Sequence, residues 1–200
     1  MTGTLTVILG SMFSGKSETL LSLVRRADLG RRRFALLKPS LDDRYSTSDV
    51  VSHDGRRYAC VAVSSSSEID RALPADLERL FIDEAQFFDE GLVQVVDKLV
   101  GHGVQVVVAG LDLDFQGRPF PTMIPLVFSA EHLIKLTAIC DVCGEDASRS
   151  QRVVDGAAVT SGDVVQVGGI ETYEPRCRDC FASDESVYSR VTEQVNTAEV

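Results

Sequence analysis

The chain has 200 residues, of which 44% are hydrophobic and 25% charged, and its formal net charge is −10. That length suits one α/β domain plus a small appendage, and the composition is that of an ordinary soluble globular protein. The acidic balance speaks against a broad nucleic-acid footprint, which needs a basic face, and no segment has the length of a membrane span.

Short β-branched runs alternate with helical patterns, which predicts a parallel sheet covered by helices. Residues 4–9 read as the first strand and 17–29 as the first helix, closed by Gly30. Arg25, Arg26, Arg31, Arg32 and Arg33 gather where positive charge suits a helix C-terminus. Residues 34–37 read as a strand ended by Pro39, and the polar, aperiodic stretch 40–57 as a mobile loop. A short strand is expected over 58–63, with Cys60 as a small buried hydrophobe, then a short helix over 67–73 before Pro74. Residues 80–82 form an apolar strand ending in Asp83-Glu84, and 89–101 a helix with apolar Leu92, Val95, Val96, Leu99 and Val100. Residues 104–109 are the most β-like run. The stretch 110–125 holds two glycines and three prolines around Phe115 and Phe120, as a loop shaped around a ligand would. Residues 132–139 read as the last strand of the main sheet, 153–167 as a hairpin, and the tail from Ser183 as polar and frayed.

Two constellations carry chemistry. The first is Gly10-Ser11-Met12-Phe13-Ser14-Gly15-Lys16-Ser17, a G-x-x-x-x-G-K-S run between the first strand and the first helix. Its glycines let successive backbone N–H groups point inward at a di- or triphosphate, and the helix N-terminus adds partial positive charge. Lys16 would reach the β- and γ-phosphates and the Ser17 hydroxyl would ligate Mg²⁺. A P-loop needs a second carboxylate-bearing strand for that metal, and Asp83 stands at the end of one. Glu84, next to it, either takes a proton from an attacking hydroxyl or positions water for hydrolysis. The second constellation is Cys140-x-x-Cys143 and Cys177-x-x-Cys180, two knuckles 33 residues apart. The N-terminus lacks a signal-peptide pattern, so a reducing cytoplasm is expected, where cysteines are thiols or metal ligands rather than disulfides, a redox dithiol being the alternative. Four thiolates in this spacing suit a closed, structural Zn²⁺ site that staples the ends of a segment poor in apolar residues.

GSMFSGKS, FIDEAQFF, GLDLDFQGRPF, KLTAICDVC and VVQVGGIETYEPRCRDC, in this order, resemble the zinc-containing (type II) thymidine kinases. The resemblance implies transfer of the ATP γ-phosphoryl group to the 5′-hydroxyl of thymidine in nucleoside salvage, in a cytoplasmic homotetramer. It implies a RecA-like P-loop α/β domain over residues 1–139, a zinc-stapled lasso over 140–182, and a polar tail over 183–200. Carried over, Glu84 is the general base, Asp83 and Ser17 the Mg²⁺-linked pair, and Ala85 and Gln86 complete the acidic strand's segment of the ATP site. Phe115 resembles the aromatic that stacks on thymine, and Met12, Phe87, Leu111 and Phe120 the apolar lining. Val164, Val165, Gln166, Val167 and Gly168 resemble the segment that reads the base edge, with Tyr173 beside it. Asp42 and Arg44 match an acidic-x-Arg element near the reacting centre, and Ser150 falls where many members have Thr. The competing expectations are a RecA-like, zinc-bearing ATPase acting on nucleic acid, with Glu84 holding water, and a regulatory protein that binds nucleotide without turnover.

Overall fold

The computed structural model describes residues 3–40, 49–51, 57–164 and 172–183. The chain divides into two compact units. The first comprises Met1–Gly10, Gly15–Asp112 and Phe120–Leu136, and the second Ser11–Ser14, Leu113–Pro119 and Thr137–Val200.

In the first unit β1 (Thr4–Gly10) is followed by α1 (Lys16–Leu29), β2 (Phe34–Pro39), β3 (Asp49–Val51), β4 (Arg57–Ala59) and β5 (Val61–Val63). Then come α2 (Ser66–Ala72), β6 (Arg79–Ile82), a 3₁₀ turn (Ala85–Phe87), α3 (Gly91–Gly101), β7 (Gln105–Gly110), α4 (Met123–Ser129) and β8 (His132–Leu136). Among the described residues, six of these strands form one sheet in the order β5-β2-β6-β7-β1-β8, and every neighbouring pair is parallel. Parallel strands buried on both faces read as continuous apolar runs, which is why Leu80, Phe81 and Ile82 sit side by side in β6. The period of two sorts them. Leu80 and Ile82 join Leu5, Val7, Val106 and Val108 against Ile69 of α2, Leu92 and Val96 of α3, and Met123 and Leu126 of α4. Phe81 faces the other way, with Ile8, Leu36 and Ala109, against Leu20, Leu21, Val24 and Ala27 of α1. One strand, β7, separates the strand that precedes the glycine loop from the strand that ends in the acidic pair. This is the expected α/β fold class, a parallel sheet flanked by helices.

Several sequence expectations need correction. The strand expected over 34–37, ended by Pro39, runs two residues further, and Pro39 is its last residue. It is tolerated because β6 pairs only as far as Leu37, while Ser40 N–H carries the β5 ladder on to the Val63 carbonyl at 2.9 Å. Residues 58–63 are two strands, not one: β4 pairs antiparallel with β3, inside the stretch expected to be loop, and β5 is parallel to β2. The loop expected to run to residue 125 gives way to α4 at Met123. Pro125 is its third residue, within the first turn, where a missing N–H breaks no helical bond. The expected strand 132–139 ends at Leu136.

In the second unit β9 (Ala138–Ile139) pairs with β10 (Asp146–Ala147). The strands β11 (Arg149–Val154), β12 (Ala157–Val159) and β13 (Thr172–Arg176) form an antiparallel sheet in the order β12-β11-β13. The two-residue turn from β11 to β12 is Asp155-Gly156, with φ of 49° and 77°, the left-handed geometry that matches strand twist in a tight hairpin. Buried Ala138, Cys140 and Ala147, with Cys177 and Cys180 against them, make a very small core. No helix among the described residues is long and apolar enough to cross a membrane.

Candidate active site

In the first unit the glycine loop closes on Gly15, whose φ of 84° lies in the left-handed region. A β-carbon there would meet nothing nearer than 3.8 Å, so backbone conformation rather than space requires the glycine. α1 starts at once with Lys16, and Thr19 donates both its N–H and its hydroxyl to the Gly15 carbonyl at 3.0 Å. Lys16 is buried. Desolvation pulls its ammonium pKa down from the ordinary lysine value, and the charges of Glu84, then Asp83, then Asp112 oppose that pull. The lysine-bearing turn and the acidic doublet therefore meet at one end of one sheet. Ser17 follows Lys16 and is half-buried.

At the end of β6, Asp83 N–H donates to the Leu37 carbonyl at 2.9 Å, and the Asp83 carboxylate accepts the Glu84 N–H at 3.0 Å. Glu84 has φ of 52° and ψ of 39°, a conformation that side-chain-bearing residues avoid and that gathers at functional sites. Its carboxylate accepts a bond from the Gln86 amide at 2.6 Å, and the Gln86 carbonyl accepts the Leu111 N–H at 2.9 Å. Buried Gln86 thus ties Glu84 to the residue just past β7. Ala85, fully buried, seats the 3₁₀ turn in the core. Phe87 and Phe120 meet edge to face with ring centroids 6.4 Å apart, and half-buried Leu111 packs against the same core cluster as Phe120. Asp112 comes next. Both its carboxylate oxygens are buried without an aligned hydrogen-bond donor, and Lys135 Nζ forms an ion pair with Oδ2 at 3.1 Å. Sequence reading does not single out Asp112, although an acid just past a strand that neighbours the P-loop strand is the available signal.

In the second unit Ser11, buried, donates its hydroxyl to the Ala147 carbonyl at 3.2 Å, and Met12 N–H donates to Ser150 Oγ at 2.9 Å. The hydroxyl of Ser150, shared by Ser and Thr, is therefore the atom that holds this turn. Ser14 Oγ donates to the Ser11 carbonyl at 2.8 Å, and Phe13, with φ of 64°, is exposed. The run 113–119 folds on Asp114, whose carboxylate accepts the N–H groups of Gln116 and Arg118 at 2.8 and 2.9 Å. Phe115 is buried with the Arg152 guanidinium 3.7 Å above its ring centre. Arg152 also donates to the Tyr173 hydroxyl at 3.1 Å and to the Val164 carbonyl at 3.0 Å. Sequence reading misses Arg152. Asp42, Arg44, Val165, Gln166, Val167 and Gly168 lie outside the described residues.

Cys140, Cys143, Cys177 and Cys180 bring their sulfurs within 4.8 Å of one another. The 3.6 Å between the sulfurs of Cys143 and Cys177 is far too long for a disulfide and close to the roughly 3.8 Å edge of a tetrahedron with Zn–S bonds of about 2.3 Å. Burial raises the Cys140 thiol, but the backbone N–H groups of Cys177, Cys143 and Val142 outweigh it and bring the thiol down to about 6. Hydrogen bonding to the Cys177 and Cys143 sulfurs pushes Cys180 up to about 12. Four sulfurs this close cannot all ionise without a cation, and the donor set fits zinc.

A parallel sheet with a glycine loop at the end of one strand and an acidic pair at the end of the next strand but one defines a nucleotide-binding α/β protein of the P-loop type. The family model described as "Thymidine kinase" matches residues 3–181, and the chain belongs to that family. It is therefore a phosphotransferase whose acceptor is thymidine, as the resemblance of its motifs implied. Among solved structures, the cytoplasmic domain of the type VII secretion ATPase EccC from Thermomonospora curvata is similar with a TM-score of 0.43 and 13% identity, over 88% of this chain and 24% of that one. The chain spans about a quarter of the length of that ATPase chain.

Proposed function

We propose that the chain transfers the γ-phosphoryl group of ATP to the 5′-hydroxyl of thymidine, with Glu84 as general base. One observation carries the proposal: Lys16 is buried at the start of α1 within electrostatic reach of Glu84 and Asp83. In this reading the glycine loop, Gly10 to Ser17, holds the triphosphate, and Lys16 meets the charge that builds on the β- and γ-phosphates. Ser17 and Asp83 would hold Mg²⁺, which screens phosphate charge when bound. The thymidine 5′-oxygen attacks the γ-phosphorus as the bond to the β,γ-bridging oxygen breaks. The hydroxyl proton passes to Glu84, and ADP and thymidine monophosphate result. The Gln86 amide, 2.6 Å from the Glu84 carboxylate, keeps the base oriented toward that proton.

By resemblance, Met12, Phe87, Leu111, Phe115, Phe120, Val164 and Tyr173 are proposed to contact the nucleoside. A dry pocket that reads a small base by hydrogen bonds discriminates well, because a wrong base strands buried polar groups. Asp42, Arg44 and residues 165–168 enter by resemblance alone, as do the division at residues 139 and 182, the homotetramer, the cytoplasmic location and the role in salvage. The four cysteines would hold one Zn²⁺, which supplies a structural clamp and leaves no open position for catalysis. A panel of nucleosides with γ-labelled ATP tests the whole reading. Label should pass to thymidine, with ADP release that needs thymidine and ignores DNA. DNA-stimulated hydrolysis without nucleoside would overturn it in favour of a motor ATPase.

A further inference from the structure

We infer that Arg152 is a positioning residue for the nucleoside, acting through Phe115, Tyr173 and Val164 rather than by touching the reacting atoms. The inference rests on the assignment of those three residues to thymidine made above.

Arg152 lies in the middle of β11, in register with Tyr173 of β13. Only 1% of it is exposed, which places it among the largest fully buried side chains of the chain. A guanidinium stays buried as a charge only where its donors and its faces are satisfied, and long cationic side chains are otherwise at the surface. Here its Nε donates to the Tyr173 hydroxyl at 3.1 Å and an Nη donates to the Val164 carbonyl at 3.0 Å. Its plane lies over the Phe115 ring at 3.7 Å and nearer that ring than the Tyr173 ring, whose centre is 5.7 Å away. The 113–119 run, Val164 and the strand β13 are thus fixed by one side chain. Gln116 reinforces the arrangement by donating to the Gly162 carbonyl at 3.2 Å.

Each partner is a group proposed to meet thymidine: a ring for stacking, a backbone carbonyl and a phenol. Fixing all three before the nucleoside arrives lowers the ordering cost of binding. The geometry also specifies why arginine is needed. A lysine keeps the charge but has no planar face for the ring and no fork with which to reach hydroxyl and carbonyl together. Lys16, Asp83 and Glu84, proposed to serve the phosphates, belong to the first unit, so loss of Arg152 should fall more heavily on the nucleoside than on the nucleotide.

The test compares Arg152→Lys, Arg152→Gln and Tyr173→Phe with wild type in steady-state kinetics. KM for thymidine should rise at least tenfold in Arg152→Gln and less in Arg152→Lys, while KM for ATP and the zinc content stay within about twofold. A general structural role would instead degrade both substrates together. Tyr173→Phe removes one partner of the guanidinium at little risk to folding, and it should raise the thymidine KM about threefold while leaving that for ATP unchanged. Combined with Arg152→Lys it should cost less than the product of the two single effects, since both act through the same bond. Unchanged thymidine KM in folded Arg152→Lys and Tyr173→Phe, or parallel loss for ATP, would overturn the inference. A wild type inert toward thymidine would sink the pocket assignment and this inference with it; an active wild type with insensitive variants would sink the inference alone.

Discussion

Glu84 is held in a left-handed conformation, φ 52°, that costs a side-chain-bearing residue on the order of 1–3 kcal/mol. The surrounding bonds over-determine it: its N–H is taken by Asp83 and its carboxylate by Gln86, itself buried and tied to Leu111. Such a carboxylate is aimed, and the value of that aim can be measured. Glu84→Gln keeps the shape and removes the carboxylate proposed as the base, so kcat should fall by a factor on the order of 10² to 10⁴ while nucleotide affinity is retained. Single-turnover transfer and equilibrium binding of ATP read the two quantities separately. Near-normal transfer would take Glu84 out of the mechanism. At this scale the sequence was informative where chemistry sits at the end of an element. Lys16, Asp83 and Glu84 follow strand or loop boundaries that an apolar run betrays, whereas Asp112 and Arg152 do not declare themselves. An arginine in a strand of mixed polarity reads as solvent-facing, and only the approach of Phe115, Val164 and Tyr173 from distant positions makes it a buried charge.

Asp89 joins two helices. Its carboxylate accepts the Ser66 N–H at 2.9 Å at the start of α2 and the Gly91 N–H at 3.0 Å at the start of α3, and it takes the Ser66 hydroxyl as well. The two N–H bonds satisfy donors that a helix start leaves over, so Asp89→Ala should cost about 1–2 kcal/mol. The bond from the Ser66 hydroxyl, followed by the N–H bonds from Ser66 and Gly91, holds the Asp89 carboxyl below the usual aspartate value. A depressed folded-state pKa gives stability that is complete above the unfolded value, near 3.9, and is lost as pH falls through the folded one. The gap in unfolding free energy between wild type and Asp89→Ala should therefore be full at pH 7 and shrink below about pH 4. Denaturant titrations across that range check it, and a gap that widened toward acid would refute the assignment. Gly91 belongs to the same joint, since a β-carbon there would fall 2.4 Å from Ser66 Oγ and 2.7 Å from the Asp89 carboxylate. Helices and strands of the main sheet were legible because burial on one or two faces imposes a period. The start of α4 was not, because Pro125 is a loop signal everywhere except in a first turn. The β3–β4 pair was not either, since three-residue strands are too short to show a period.

The two units are stabilised by different means. The six-stranded sheet buries a large apolar cluster on each face. In the second unit the apolar cluster beside the cysteines is Ala138, Cys140 and Ala147 with Cys177 and Cys180 against them, and three small side chains bury too little to offset the ordering of the chain around them. Two C-x-x-C pairs made the zinc site legible from spacing alone, but the dependence of the unit on it becomes visible only with the composition of that core. Metal binding must then supply folding free energy, as it does in small metal-stapled domains. Metal analysis should return about one zinc per chain. Chelation, or Cys177→Ser, should weaken thymidine binding at least tenfold and ATP binding less, because Lys16, Asp83 and Glu84 belong to the first unit while only Ser11–Ser14 of the glycine loop belong to the second. Near-ultraviolet circular dichroism should change through Tyr173 while the far-ultraviolet helix signal, which comes from α1 to α4, stays. Unchanged thymidine affinity in metal-free protein would show that the second unit orders itself without the clamp, and collapse of ATP binding in step would show that the sheet depends on it too.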